Sequence, residues 1–595
     1  MDDKPFQTQT PLAAPSTALL RHERIVGVLS LVLCAGYLYL LLGDIGSYWF
    51  DSRWSTDDAC QQIFPFHALL HPKIFVGDLI YETMRGYLAP LHYALGALFT
   101  YLTNSPIMAG HWLMLIQLGT SSLFVFLAVQ YCCRLPGRSW WYAAAPAFFA
   151  LLWFLHSRQL LQRMTAGLPR GWAPVIFSAY LYFVLKRNHP AVMITLALGC
   201  LLNPPASFLG CAAYGLYLLV QSVRRSTRAE FKKPLLLFIL VAPLLGALTL
   251  YVTARPASIG KVALLAEART MPEFQKAGGR FSFLPFPTVA EDLLGNSFRV
   301  FISKLWKVPK KLKGAVVAAA TLLILLCLFA AYRRREEVIP LPLLIFGGSS
   351  VGVYLVSRPL AFLLYVPDRY LTYPLGLFFI LSLSIGLWRM TTASSPSFLR
   401  AYFGAGALGF VALMVYAGHG AGLNSTGKGT ANFNYNDLTR GPVYNWIRDN
   451  TPETALFAGQ PTFLDPIQLY GVRKGFVTSE TWHPFYALYN VEMKRRLEVT
   501  FRAHYARDAQ EFVKLLQAEG IAYFIFERRM FRPQELQEAS YFEPLNSLVR
   551  QLTQGDSETY LFHTLLKADT KVAPYVDQRA LVVNVAELAA TLDGR

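Results

Sequence analysis

Long apolar runs, separated by short polar or basic stretches, fill the first two thirds of the chain and then stop. A run of roughly 17–25 apolar residues is what a helix needs to cross a bilayer. The pattern predicts such helices at 25–43, 107–131, 140–156, 172–185, 233–253, 314–332, 338–356, 371–388 and 401–417. The run 190–221 is broken by Asn203-Pro204-Pro205 and has basic residues at both ends, Lys186-Arg187 and Arg224-Arg225. Two short spans put both clusters on one side, so the count is 11. The basic residues at the other span ends, from Arg21 and Arg24 through Arg333–Arg335 to Arg389 and Arg400, then share the side of the N-terminus. Because basic loops stay in the cytoplasm, the expected orientation is N-terminus in and C-terminus out.

Two segments strain this scheme. Gly86–Thr103 is apolar enough to span, but counting it would reverse every later assignment, so it is expected as an interfacial or re-entrant helix outside. Lys304, Lys307, Lys310, Lys311 and Lys313 also fall outside, where an amphipathic helix on lipid headgroups would suit them. After Gly418 the texture changes. A Gly/Ser/Asn linker at Gly420–Ala431 leads to helical patterns at Gly441–Asn450 and Asp508–Gly520, alternating with strand patterns at Ala455–Ala458 and Ala522–Phe526. The expected fold class is a polytopic α-helical membrane protein with a C-terminal α/β extracytoplasmic domain. Its divisions are a cytoplasmic tail (1–24), a membrane domain (25–418) with a first outside loop at 45–106, and a soluble domain (419–595).

Composition sharpens this picture. Hydrophobic residues make up 54% of the 595 and charged residues 15%, below the roughly 25% of a soluble domain. The net charge of +18 is unevenly placed: residues 419–595 hold 19 Lys/Arg and 20 Asp/Glu, so the excess lies in the first 418. A basic excess confined to loops between apolar runs is a topology and headgroup signal, and no nucleic-acid motif accompanies it. The seven cysteines form no CxxC or metal-type spacing. The N-terminus starts with polar, Pro/Thr-rich residues and Arg21-His22-Glu23-Arg24, then an apolar run with no good cleavage pattern, and reads as a signal anchor.

The candidate chemistry gathers in the first outside loop, at Thr56-Asp57-Asp58, with Asp78 further on. Adjacent carboxylates suit a general base or a divalent-metal ligand. They equally suit the acidic start of a helix over Ala59–Leu70. A first span followed by an outside loop opening on an acidic pair resembles the GT-C superfamily of membrane glycosyltransferases. Pro367-Asp368-Arg369-Tyr370-Leu371, before a late span, resembles an Arg-Tyr element of that group. Trp446-Ile-Arg-Asp-Asn450-Thr-Pro452 resembles the start of a periplasmic domain in its bacterial members. The resemblance implies an enzyme that takes a sugar from a polyprenyl-phosphate donor, with Asp57 or Asp58 as base, sometimes with a metal, and Asp78 as a second acidic residue. No sequon-recognition motif is present.

The second outside loop carries Arg158, Arg163 and Arg170, against the positive-inside tendency. Arginine makes paired hydrogen bonds to phosphate oxygens, so these three and Arg369 are candidates to hold the phosphate of a lipid-linked donor. Headgroup contact by long side chains is the plainer alternative. His92 and His111 read as packing, and Ser479-Glu480-Thr-Trp482-His483 holds suggestive residue types with no assigned role. The expectation is a plasma (inner) membrane glycosyltransferase with membrane lipids and a polyprenyl-phosphate sugar as partners. A non-enzymatic transporter or scaffold for lipid-linked glycans is the rival. Spans almost free of ionisable residues speak against transport. Sugar, acceptor and metal are left open.

Overall fold

The structure, a computed structural model, describes residues 51–134, 140–293, 338–393 and 433–593, together with Arg21, 24–25, 27–36, Tyr39 and Trp49. The expected spans 314–332 and 401–417, the lysine cluster 304–313 and the linker 420–431 lie outside the described residues.

The apolar runs fold as helices: α1 (Pro90–Thr103), α2 (Pro106–Cys133), α3 (Trp140–His156), α4 (Trp172–Leu185), α5 (His189–Leu202), α6 (Pro204–Val223), α7 (Arg228–Thr253), α8 (Leu341–Ser357) and α9 (Arg369–Ala393). Four of them, α2, α6, α7 and α9, are long and apolar enough to cross a membrane. Their burial separates their places. Only 11% of the most apolar window of α7 is buried, so its side chains face outward, whereas 72% of that of α9 is buried. Arg369, the first residue of α9, is thereby held at the end of a central helix. The break at Asn203-Pro204-Pro205 is a helix start. Asn203 accepts a hydrogen bond from the Ala206 N–H at 3.1 Å, and Pro204 occupies the first turn, where its missing N–H costs nothing.

Of the stretch Gly86–Thr103, Pro90–Thr103 folds as α1, packed on α2, and Gly86 closes the preceding helix Leu79–Gly86. The continuous helix considered for Ala59–Leu70 is instead three short turns, Ala59–Gln62, Phe64–Phe66 and His67–Leu70. Pro65 supplies no N–H, which interrupts the α-helical ladder there.

The C-terminal region forms a five-stranded sheet in the order β4 (Lys474–Gly475), β3 (Leu456–Gly459), β5 (Tyr523–Glu527), β7 (Ala580–Asn584), β6 (Tyr575–Val576). β3 pairs in parallel with β4 and β5, and β7 is antiparallel to both β5 and β6. The parallel β3–β5 step is a crossover through α11 (Ala487–His504) and α12 (Ala509–Ala518), preceded in the chain by α10 (Val443–Asn450). β5 and β7 are continuous apolar runs because both faces of the sheet are covered: Phe524, Ile525, Phe526 and Leu581–Val583 are all buried.

This region is tied to the first loop. β1 (Trp54–Ser55) pairs antiparallel with β2 (Asn436–Asp437). Tyr470 donates to the Arg53 carbonyl at 3.0 Å, and His67 Nε2 lies 2.8 Å from the Leu469 carbonyl. The acidic loop is therefore held between the helices and the sheet.

Candidate active site

Thr56, Asp57 and Asp58 lead into the short turn Ala59–Gln62, and the two carboxylates have different surroundings. Asp57 Oδ1 accepts from the Thr56 hydroxyl at 2.7 Å and from the Asp58 N–H at 3.0 Å, so Asp57 orders its own loop. Asp58 makes no side-chain bond to its turn. Its Oδ2 instead meets Arg170 Nη1 at 2.5 Å, in a pair about one quarter exposed on each side, 23% for the guanidinium and 29% for the carboxylate. Burial pushes the Asp58 carboxyl up, but the pair with Arg170 and the fields of Arg163 and Arg369 outweigh it and hold the group below its ordinary value.

Arg170 thus pairs with Asp58, and Arg163 and Arg369 lie near enough for their charge to act on it. The Arg163 guanidinium lies over the Tyr373 ring, 5.4 Å from its centre, and Arg369 Nη1 donates to the Tyr373 hydroxyl at 2.7 Å. Tyr373 stands one turn after Arg369 on α9 and holds both. Arg369 also faces Asp368 at 3.8 Å. Arg163 binds its proton less tightly than usual, through burial and the nearby Arg369 and Arg170, partly offset by Tyr373 and Asp58. The Nε groups of Arg170 and Arg369 are buried without a hydrogen-bond partner among the described residues.

The loop that supplies Arg163 and Arg170 is held against α2. Gly167 has φ +64°, and an added Cβ would lie 2.2 Å from the Gly110 carbonyl, so only glycine fits. Gln117 Nε2 donates to the Gly167 and Leu168 carbonyls at 3.3 and 3.1 Å. Asn203 Nδ2 donates to the Pro169 carbonyl at 3.1 Å, next to Arg170. The proline break that stood out in the sequence thus supports this loop. Asn434 joins the two loops, its N–H donating to Thr165 Oγ1 at 3.1 Å and its Nδ2 to Thr56 Oγ1 at 3.2 Å.

Not every sequence candidate is in this cluster. Arg158 opens the short helix Arg158–Leu161, and its side chain lies outside the described ones. Asp78 caps the Leu79–Gly86 helix, accepting from the Ile80 N–H at 2.9 Å. It is 7% exposed, and burial pushes its carboxyl up to about 6. Among the described residues no group of three His, Cys, Asp or Glu side chains is placed to hold a metal ion, and Asp58 is engaged with Arg170. The donor set does not fit a metal, so no step below runs through one.

The side facing the sheet was not assigned from sequence. Gln61 Nε2 donates to Glu480 Oε2, and Gln61 Oε1 lies 2.9 Å from His483 Nε2. Glu480 faces Arg280 Nη2 at 3.7 Å, and its N–H donates to Asp465 Oδ1 at 2.7 Å. Burial pushes both carboxyls up. Arg280 opposes this at Glu480, while Asp58 and Asp57 add to it, and Glu480 raises Asp465 further. His483 is lowered to about 3 by burial and then by Arg280, so its ring is neutral. Glu480 and His483 stood out in the sequence by residue type alone; Arg280 and Asp465 did not.

No protein-family model and no curated protein matches the sequence. Among solved structures, the chain is similar to the oligosaccharyltransferase of Archaeoglobus fulgidus in complex with zinc and sulfate, at 13% identity and a TM-score of 0.47 over 88% of this chain and 70% of that one. It is also similar to ArnT from Cupriavidus metallidurans bound to undecaprenyl phosphate, at 15% identity and a TM-score of 0.44 over 93% and 99%. A third is the mycobacterial arabinofuranosyltransferase AftD, at 14% identity and a TM-score of 0.40 over 87% and 37%. All three are GT-C superfamily glycosyltransferases. None reaches a TM-score of 0.5, so the chemistry of this chain has to be read from its own residues.

Proposed function

We propose that the protein is a membrane glycosyltransferase that takes a sugar from a polyprenyl-phosphate donor and passes it, with inversion, to a hydroxyl-bearing acceptor outside the cytoplasm. The observation that carries this reading is the cluster formed by Arg170, paired with Asp58, and by Arg163 and Arg369, joined through Tyr373. Three guanidiniums keep their protons at any working pH. Confined beside Asp58 and Asp368, with two Nε–H groups lacking a hydrogen-bond partner among the described residues, they form a site for a further anion of phosphate geometry.

Asp58 takes the proton of the acceptor hydroxyl. The acceptor oxygen attacks the anomeric carbon, the bond from that carbon to the phosphate oxygen breaks, and the phosphate leaves with the electron pair. The arginines stabilise the charge that grows on it. The same arginines hold Asp58 weakly basic until an anion arrives. A bound phosphate offsets their field and leaves burial to raise the basicity of Asp58, so donor binding readies the base. On this reading α9 and its neighbours belong to an 11-span bundle with basic loops inside, and the site faces away from the cytoplasm.

The test uses full-length protein in nanodiscs and undecaprenyl phosphate as probe. Arg369→Ala is expected to weaken binding at least about tenfold, and Arg369→Lys to recover little, since lysine cannot make the planar two-bond contact. Unchanged binding in Arg369→Ala and Arg170→Ala alike refutes the phosphate site. A C-terminal reporter active only in the cytoplasm, fused after residue 593 and found active, refutes the facing.

A further inference from the structure

Asp58 sits on a turn too short to hold itself. Ala59–Gln62 is four residues long, and a single helical turn is unstable alone. Asp58 has no side-chain bond to that turn, so its position is imposed from outside. One constraint is Arg170. The Asp58 N–H is bonded to Asp57 Oδ1 at 3.0 Å, and the Asp58 carbonyl accepts from the Gln62 N–H at 3.1 Å and from the Gln61 N–H at 3.2 Å; of these residues Gln61 is the one whose side chain reaches the C-terminal domain.

Gln61 is 5% exposed, and both ends of its amide are engaged by the C-terminal domain. The Nε2 donates to Glu480, and the Oε1 accepts from His483 Nε2 at 2.9 Å. With Glu480 ionised, Gln61 Nε2 must be the donor to it, and Gln61 Oε1 then takes the proton on His483 Nε2. Glu480 is held in turn. Its N–H is bonded to Asp465, and its carboxylate faces Arg280, whose Nε donates to the Trp482 carbonyl at 3.1 Å. Arg280 belongs to the stretch between α7 and α8, and that stretch is itself fastened to α11. The Ala263 N–H donates to the Phe485 carbonyl at 2.9 Å and the Ala487 N–H to the Lys261 carbonyl at 3.0 Å. First loop, α7–α8 stretch and C-terminal domain therefore close on one amide, one turn from the base.

We propose that Gln61, clamped between Glu480 and His483, is the positioning residue for the Asp58 carboxylate, which makes the C-terminal domain a working part of the active site. This rests on the reading of Asp58 as base. Removing the clamp frees the turn, and a base displaced by about 1 Å loses on the order of 10²-fold in rate. Donor binding is not expected to weaken, because Arg163 and Arg369 stay on Tyr373, the loop of Arg170 stays on Gln117 and Asn203, and a displaced Asp58 competes no harder for Arg170.

The test is a swap in the full-length protein in nanodiscs, read as release of undecaprenyl phosphate from undecaprenyl-phosphate hexoses and pentoses, with water as the acceptor. Gln61→Glu sets two carboxylates against each other and is expected to lower kcat by about tenfold or more. Glu480→Gln keeps an oxygen for Gln61 Nε2 and is expected to cost about threefold or less. In the double variant the polarity is reversed: the carboxylate at 61 accepts from the amide at 480 and still accepts from His483. Its kcat is expected to return to within a few-fold of wild type, with donor KM constant across the series. A double variant no better than Gln61→Glu, or a loss that appears in donor KM, overturns the proposal. If Gln61→Glu does not fold, Gln61→Leu keeps the bulk and drops both bonds. It is then expected to lose kcat alone, and full activity in it overturns the clamp. Asp58→Asn in the same assay separates the two readings. An active Asp58→Asn removes the base itself, whereas an inactive Asp58→Asn with no rescue in the swap removes only the clamp.

Discussion

Asparagine in place of each aspartate of the pair keeps size and hydrogen-bonding oxygen and removes charge, so the two substitutions isolate what each charge does. At position 57 the oxygen that matters receives the Thr56 hydroxyl and the Asp58 N–H, and asparagine can receive both. The expected cost is that of weakening two exposed charge-assisted bonds, below about 1 kcal/mol, or under about fivefold in rate. On the proposed reading the charge at position 58 is the base, and its loss is expected to cost about 10²–10⁴-fold in kcat. The donor side responds in the opposite sense. Asp58 is the anion that now shares Arg170 with an incoming phosphate, so Asp58→Asn leaves donor KM unchanged or lower. Fold stability falls because a partly buried guanidinium loses its partner, by about 1–3 kcal/mol. Undecaprenyl phosphate at about 100 times its Kd is expected to add about 2.7 kcal/mol to the stability of the variant. The assay is kcat and donor KM for both variants, with thermal unfolding with and without lipid phosphate. Near-wild-type kcat in Asp58→Asn refutes the assignment, as does a donor KM that rises in step with the fall in kcat.

Arg170→Gln removes the strongest restraint on the Asp58 carboxyl and leaves burial to push it up, so the acid limb of the kcat/KM profile moves to higher pH; a limb that stays or moves down refutes the coupling. Asp78 is buried with its carboxyl raised from the ordinary 3.8 to about 6, which corresponds to a penalty of about 3 kcal/mol on its charged form. A carboxyl raised on folding destabilises progressively as pH climbs from about 4 to 6 and fully above 6. Asp78→Asn, which keeps the cap to Ile80, is therefore expected to raise Tm above pH 6 and not at pH 4; equal Tm at both refutes the burial cost.

The sequence made the helices legible because each needs only an apolar run of sufficient length, and strands β3 and β5 because turn residues bound them. The strand patterns at 455–458 and 522–526 fall within one residue of Leu456–Gly459 and Tyr523–Glu527. The tendency of Asp57 to order its loop was legible from Thr56 beside it. The role of Gln61 was not, because its partners are 419 and 422 residues away. Nor was that of Asn203, which read as a helix break and also carries the loop of Arg170. Arg280 lay in a stretch without regular pattern. Each of these residues acts through contacts that only the closed chain creates.

On the proposed reading, the arginine cluster is the part of the site that takes the donor phosphate. Buried polar groups are nearly always paired, yet two guanidinium Nε–H groups here are not. A carboxylate cannot answer both, since Asp58 is already committed to one edge of Arg170. A second carboxylate, Asp368, stands 3.8 Å from Arg369 Nε, too far for a hydrogen bond, so two carboxylates face three guanidiniums. Tyr373 adds a ring and a hydroxyl that hold Arg163 and Arg369 in place without cancelling their charge. Positive charge is thereby fixed in direction but left unbalanced, which favours an anion whose charge increases as the reaction proceeds over one whose charge is constant. A leaving lipid phosphate is such an anion, and a headgroup resting on the membrane is not.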